Sequence, residues 1–193
     1  MVVERICMRQ YKFSMEKICI AALMTFCLIS STCFNIIARA ELPKPEISSS
    51  AGILMDAKSG KVLYEKNSRQ RYAPASITKI MTALLVAEKA NMSDMVTYSE
   101  SATTNLESGA VTAGVTAGDI ISVNDSMYAL MLKSANEVAN GLAEHVAGSI
   151  SSFAAMMTAR AKEIGATDTN FANPSGLNDD KQYGFDNKDG ICK

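Results

Sequence analysis

A mixed α/β (α+β) domain, in which a β-hairpin leads into a largely helical region, is the fold class predicted by the 193-residue sequence. Three observations predict it. Two β-rich segments, Ser50 to Asp56 and Lys61 to Glu65, flank the turn Ala57-Lys58-Ser59-Gly60, where Gly60 supplies backbone freedom. Apolar residues at Ile77, Ile80, Met81, Leu84 and Leu85 recur at helical spacing. Further helical stretches follow Ser122 and Ser149, residues suited to capping a helix N-terminus.

In chain order, Met1 to Lys17 carries Arg5, Arg9, Lys12 and Lys17, and the apolar run Ile18 to Ile29 follows. Ser30, Ser31 and Thr32 dilute it, and the segment closes on Ala38-Arg39-Ala40. A positive region, an apolar region of about a dozen residues and a small-x-small site predict a secretory signal peptide over 1–40, cleaved after Ala40. The competing reading is a retained anchor, since Ile18 to Ile37 is about long enough to span a bilayer. The charged extension leaves Met15 as an alternative start, and Ser30-Ser31-Thr32 before Cys33 lacks the leucine of a lipoprotein site. An exported, extracytoplasmic location in the cell envelope, the periplasm or the medium is therefore expected.

The proline-spaced segment 41–49 predicts an extended linker. The domain is expected over 50–183, with a divergent tail at 184–193. After the hairpin and a polar loop, Ile77 to Ala90 is predicted as a helix apolar around most of its circumference, and hence buried. Asn91 to Gly118 shows no sustained periodicity and is expected to be irregular, with short β-like pieces such as Met95 to Tyr98. Glu100 and Glu107 within it are read as surface charges. Ser122 or Asn124 caps the next helix, which ends near Lys133 to Asn136. Another helix runs from Glu137 to Ala147, and a third from Ser149 to a stop at Gly165.

A net charge of -1 with 20% charged residues gives no electrostatic footprint for nucleic acid. Cys7, Cys19, Cys27 and Cys33 all precede Ala40, leaving Cys192 alone, so neither a disulfide framework nor metal-ligand spacing is expected in the processed chain. No cofactor is implied.

The chemistry concentrates at Ser76-Ile77-Thr78-Lys79, at the start of the apolar helix. Residues three apart share a helix face, so a lysine amine at position 79 reaches the hydroxyl of Ser76. A serine needs a partner to take its proton, and a lysine does so when burial lowers its pKa. By itself the pattern equally describes a serine cap with a solvated lysine. The buried helix behind it favours the reactive reading, as do the helix-terminal N–H groups, which stabilise an anion beside Ser76. His145, the sole histidine, is expected at the surface, which leaves no histidine base for the serine. Ser134-Ala135-Asn136, between two helices, offers a hydroxyl for proton relay and an amide for a substrate carbonyl, although such a tripeptide is commonly a plain connector.

The two motifs in this order, with Ala75 to Leu85, Met131 to Ala139, Leu142 to Gly148 and Phe171 to Leu177, resemble the penicillin-binding and serine β-lactamase superfamily. More narrowly, the stretch from about Ser50 to Tyr183 is similar to the low-molecular-mass penicillin-binding proteins, the D-alanyl-D-alanine carboxypeptidases. The resemblance implies a β-lactamase/transpeptidase-like fold. It implies Ser76 as the acylated nucleophile, Lys79 as general base, Ser134 as proton relay and Asn136 as a substrate contact. The implied substrate is a peptidoglycan stem peptide ending in D-Ala-D-Ala, with β-lactam antibiotics as covalent inhibitors. Relatives also associate with the membrane surface through a C-terminal amphipathic helix.

The family's third motif, Lys-Thr-Gly or a close relative on a sheet strand, does not occur here, and the pattern departs after Tyr183. The C-terminal sheet strands are accordingly expected to be missing and the apolar helix to have one side uncovered. A chain of this kind is expected to fold poorly alone and to have little or no carboxypeptidase activity. The alternatives are a serine β-lactamase, against which Ala135 and the Asn173 to Leu177 block weigh, and a secreted pseudoenzyme that binds wall peptides without turnover.

Overall fold

The computed structural model describes residue 24 and residues 43–104 and 106–184. The expected signal peptide apart from Met24, all five cysteines, and the tail beyond Gly184 lie outside the described residues. Residues from Glu46 onward form a compact unit of their own.

Strands β1 (Gly52–Met55) and β2 (Val62–Lys66) pair antiparallel, with Gly52 opposite Lys66 and Leu54 opposite Tyr64. Their turn forms because the Asp56 carboxylate accepts hydrogen bonds from the Ser59 N–H (2.8 Å) and hydroxyl, while Gly60 takes a φ of +69°. Lys66 Nζ ties the hairpin to the entering chain by donating to the carbonyls of Ile47 and Ser49, both at 2.8 Å.

A 3₁₀ turn, Ala75–Ile77, leads directly into α1 (Thr78–Lys89). The stretch expected to be irregular contains β3 (Met95–Thr97) and α2 (Glu100–Thr103). Strand β3 pairs antiparallel with β4 (Ile120–Ser122), with Val96 opposite Ile121. Helix α3 (Val123–Tyr128) is capped by Ser122, whose hydroxyl accepts from the Asp125 N–H at 3.0 Å. It runs into a π-helical turn, Ala129–Lys133, then into α4 (Asn136–Ala147) and α5 (Ile150–Glu163), the last capped by Ser149.

Helix α4 is the centre of the packing, touching α1, α2 and α5. Asn136 to Ala143 are buried without interruption, which requires small residues where neighbours approach. Gly141 is such a position, since a Cβ there would stand 2.3 Å from the Tyr98 ring. Leu85, Val86, Val96, Tyr98, Leu142, Phe153 and Met157 close the core around it.

The apolar helix was expected to be buried with one side uncovered, and α1 has that character. Leu85 and Val86 are buried, but Ile77 is 70% and Ile80 61% exposed, and Leu84 continues the stripe at 36%. Beyond the 3₁₀ turn before it, α1 meets α4, α5 and the π turn, and Ile77, Ile80 and Leu84 remain exposed. Periodicity reported how apolar the helix is, not how many sides have a neighbour.

Candidate active site

Ser76 sits in the middle of the 3₁₀ turn, where first-turn N–H groups have no internal acceptors. The chain reaches it through an unusual conformation, because Ala75 has a φ of +47° in the left-handed region. Backbone strain of this kind costs about 1–3 kcal/mol and persists only where the surroundings impose it. The surroundings here are the segment Asn173 to Leu177. Gly176, with φ +85°, approaches so closely that a Cβ on it would stand 1.9 Å from the Ala75 carbonyl oxygen.

Lys79 follows in the first turn of α1 and is 3% exposed. Its Nζ donates to Ser175 O at 2.6 Å, to Asn136 Oδ1 at 2.8 Å and to Ser76 Oγ at 3.3 Å. Three donors thus meet three acceptors. A neutral amine keeps two N–H groups for Ser175 and Asn136, and its lone pair then faces the Ser76 hydroxyl. Burial holds the Lys79 pKa below the ordinary lysine value, and the charge of Glu137 opposes that shift.

The hydroxyl of Ser134 donates to Ser76 Oγ at 3.0 Å. Ser134 also occupies the left-handed region, at φ +60°, immediately after the π turn. Asn136 opens α4, and its Nδ2 donates to Val111 O at 2.9 Å while its own N–H reaches the same carbonyl at 3.0 Å. With Nδ2 committed to a carbonyl, Oδ1 is presented to Lys79. All four residues expected from the sequence therefore meet in one cluster, although Ser76 and Ser134 are 58 residues apart.

Three contributors were not anticipated. The Ser175 carbonyl reaches Lys79 from 96 residues away, held by an Asn173 turn in which Oδ1 accepts from the N–H groups of Ser175 and Gly176. Asn-Pro-Ser-Gly signals a turn in the sequence, but nothing in it names the turn's partner. The Val111 carbonyl belongs to the stretch expected to be irregular and given no chemistry. Glu107, read as a surface charge, is exposed but lines the cleft and accepts from Asn178 Nδ2 at 3.3 Å.

Beside Ser76 opens a cavity of about 300 Å³, lined among others by Glu107, Gly109, Asn136, Gly176 and Asn178. No arginine, lysine or histidine is among the described residues lining it. His145 is exposed on α4, with Nε2 3.8 Å from Asp94.

A helical domain with a hairpin, presenting a serine, a lysine and a second serine in mutual contact, defines the penicillin-binding and DD-transpeptidase class. The D-alanyl-D-alanine carboxypeptidase family model matches residues 38–186, and the chain belongs to that family. The chain is 38% identical over 138 residues to D-alanyl-D-alanine carboxypeptidase DacF of Bacillus subtilis (strain 168), covering 69% of this chain and 35% of that protein. To DacC of Escherichia coli (strain K12) it is 34% identical over 184 residues, covering 91% of this chain and 45% of the relative. The crystal structure of the D-alanyl-D-alanine carboxypeptidase DacD from Francisella tularensis superposes with a TM-score of 0.67 at 33% identity, over 74% of this chain and 35% of that one. The chain thus spans well under half the length of these relatives.

Proposed function

We propose that this chain carries the acylating centre of a serine-type D-Ala-D-Ala carboxypeptidase acting on peptidoglycan stem peptides. The observation that carries the reading is the contact of Ser76 Oγ with both Lys79 Nζ and Ser134 Oγ. Neutral Lys79 takes the Ser76 proton as Oγ attacks the carbonyl of the penultimate D-Ala. The Ser76 N–H, at the positive end of α1, donates to the developing oxyanion. The proton taken up by Lys79 passes by way of Ser134 to the departing amine of the terminal D-Ala, the C–N bond breaks, and an ester on Ser76 remains beside a Lys79 that is neutral again. Water then attacks that ester, its proton passing to Lys79, which returns it to Ser76 Oγ as the acyl–oxygen bond breaks, so that both serine and lysine are restored.

Asn136 is placed for a second task, because its amide borders the cleft while fixed from behind by Val111. A substrate backbone lying along the cleft meets this amide. β-Lactams, which carry a strained amide, acylate the same serine. Export by the 1–40 segment belongs to the proposal, since the substrate lies outside the cytoplasmic membrane.

Turnover by this chain is expected to be impaired. The terminal carboxylate of the substrate needs a cation, and none lines the cleft among the described residues. That supports slow release of D-Ala even where Ser76 is acylated, and it is the observation that favours the second reading, a wall-peptide binder without turnover.

The test incubates the purified chain with a fluorescent penicillin and, separately, with a peptide ending in D-Ala-D-Ala. We expect sub-stoichiometric labelling confined to Ser76 and abolished by Ser76→Ala, with little D-Ala released. Labelling that survives Ser76→Ala overturns the site. Stoichiometric labelling with rapid D-Ala release overturns the impairment.

A further inference from the structure

Glu137 is 1% exposed and one residue beyond the Ser134-Ala135-Asn136 motif. Its Oε1 accepts from the N–H groups of Ala113 (2.6 Å), Gly114 (3.1 Å) and Val115 (3.4 Å), whereas Oε2 is buried without a partner. The three amides belong to the segment whose Val111 carbonyl takes both hydrogen bonds from Asn136. Asn136 in turn presents Oδ1 to Lys79 at 2.8 Å.

We infer that Glu137 is a positioning residue for the site proposed above: its buried carboxylate gathers the 113–115 amides, fixes the Val111 carbonyl, and through it holds the Asn136 amide against Lys79. The inference rests on the proposed function only in the purpose it gives to that alignment. A loop could be pinned by any buried acceptor, and a neutral amide oxygen would serve. A carboxylate with one oxygen left bare is a costly pin, and its charge also bears on Lys79. Burial drives that lysine toward its neutral form, and Glu137 is the charged group that counters it.

Other groups around the pair are accounted for. Tyr98 is buried on the β3 side, with its hydroxyl on Ser126. Glu107 lines the cleft, and Glu144, two turns along α4, is taken by Ser99 and Ser101. Glu88, at the far end of α1, is paired with Arg160.

The test compares the parent chain with Glu137→Gln and Glu137→Ala. It reads amide exchange at 113–115, Lys79 side-chain titration by NMR, and the pH profile of β-lactam adduct formation at Ser76. In Glu137→Ala the three amides are expected to lose protection and adduct formation to fall on the order of 10²-fold, the scale of a 1 Å misplacement. Glu137→Gln is expected to restore protection and most of the rate, while Lys79 and the acid limb of the profile move to lower pH. Unchanged protection and unchanged rate in Glu137→Ala overturn the positioning role. A parent-like Lys79 titration in Glu137→Gln overturns the role of the charge. If the parent forms no adduct at Ser76, the proposed function falls, and exchange with Lys79 titration still decides on Glu137.

Discussion

The close approach of Gly176 to Ala75 permits a sharp test of how Ser76 is held. In Gly176→Ala the new Cβ would stand 1.9 Å from the Ala75 carbonyl oxygen and 2.4 Å from its carbon. Ordinary contact begins near 3.4 Å, so the two backbones must part by about 1.5 Å. Both clashing atoms are main chain, and no side-chain rotation relieves them. The substitution also places a Cβ at φ +85°, a left-handed conformation that adds roughly 1–2 kcal/mol. Whichever side yields, the site suffers. A shift of Ala75 moves Ser76, and a shift of the 173–177 turn moves the Ser175 carbonyl away from Lys79. A displacement of 1 Å or more predicts a loss on the order of 10²-fold in the rate of β-lactam adduct formation. The assay is adduct formation at Ser76 by mass spectrometry in excess β-lactam, with thermal melting alongside. Parent-like adduct formation together with a parent-like melting temperature would refute the reasoning.

Three further outcomes follow from the same geometry. Because burial lowers the folded-state pKa of Lys79 below its unfolded value, the unfolded chain binds more protons between those two values. The stability contributed at this residue therefore rises with pH through that window, and the cost of burying the ammonium is complete below it. Lys79→Met is expected to flatten this slope in melting curves taken across alkaline pH, and an unchanged slope would contradict the assignment. Gly141→Ala drives a Cβ to within 2.3 Å of a Tyr98 ring that is buried and tethered through Ser126. It is expected to lower stability by about 1–3 kcal/mol of overpacking, less the roughly 1 kcal/mol that alanine adds to a helix interior, and a raised melting temperature would contradict it. Ile80→Glu changes a residue that is 61% exposed, so stability is expected to hold within about 0.5 kcal/mol while self-association measured by sedimentation declines.

The exposed stripe on α1 connects the fold to the comparisons. Ile77 ends the turn that carries Ser76 and Ile80 follows it in α1, and the hairpin also exposes Ile53, Leu54 and Leu63. A soluble monomer seldom leaves contiguous apolar surface beside its reactive centre. Among the described residues, the cluster of Ser76, Lys79 and Ser134 is thus packed on the side of α4 and the 173–177 turn, while Ile77 and Ile80 stand exposed. If Ser76 is acylated as proposed, a cluster with one well-built wall is the physical basis for expecting adduct formation and peptide turnover to separate in this chain.

Some of this was legible in the sequence because the residue types concerned are chosen for their local chemistry. Gly60 marked the hairpin turn, Ser122 and Ser149 marked helix starts, and the three-residue spacing of Ser76 and Lys79 placed both on one face. The remainder was hidden for two reasons. Lys79 is held by the carbonyl of Ser175, and Asn136 by the carbonyl of Val111. Every residue carries a carbonyl, so its use leaves no trace in residue type. The backbone strain that aims the hydroxyls is also borne by an alanine at 75 and a serine at 134, neither of which favours positive φ. What imposes the strain on Ala75 is the turn 173–177, and there the sequence does keep a mark. At Gly176 a side chain has no room, so a motif recognised by resemblance alone acquires a physical reason: it clamps the turn that carries Ser76.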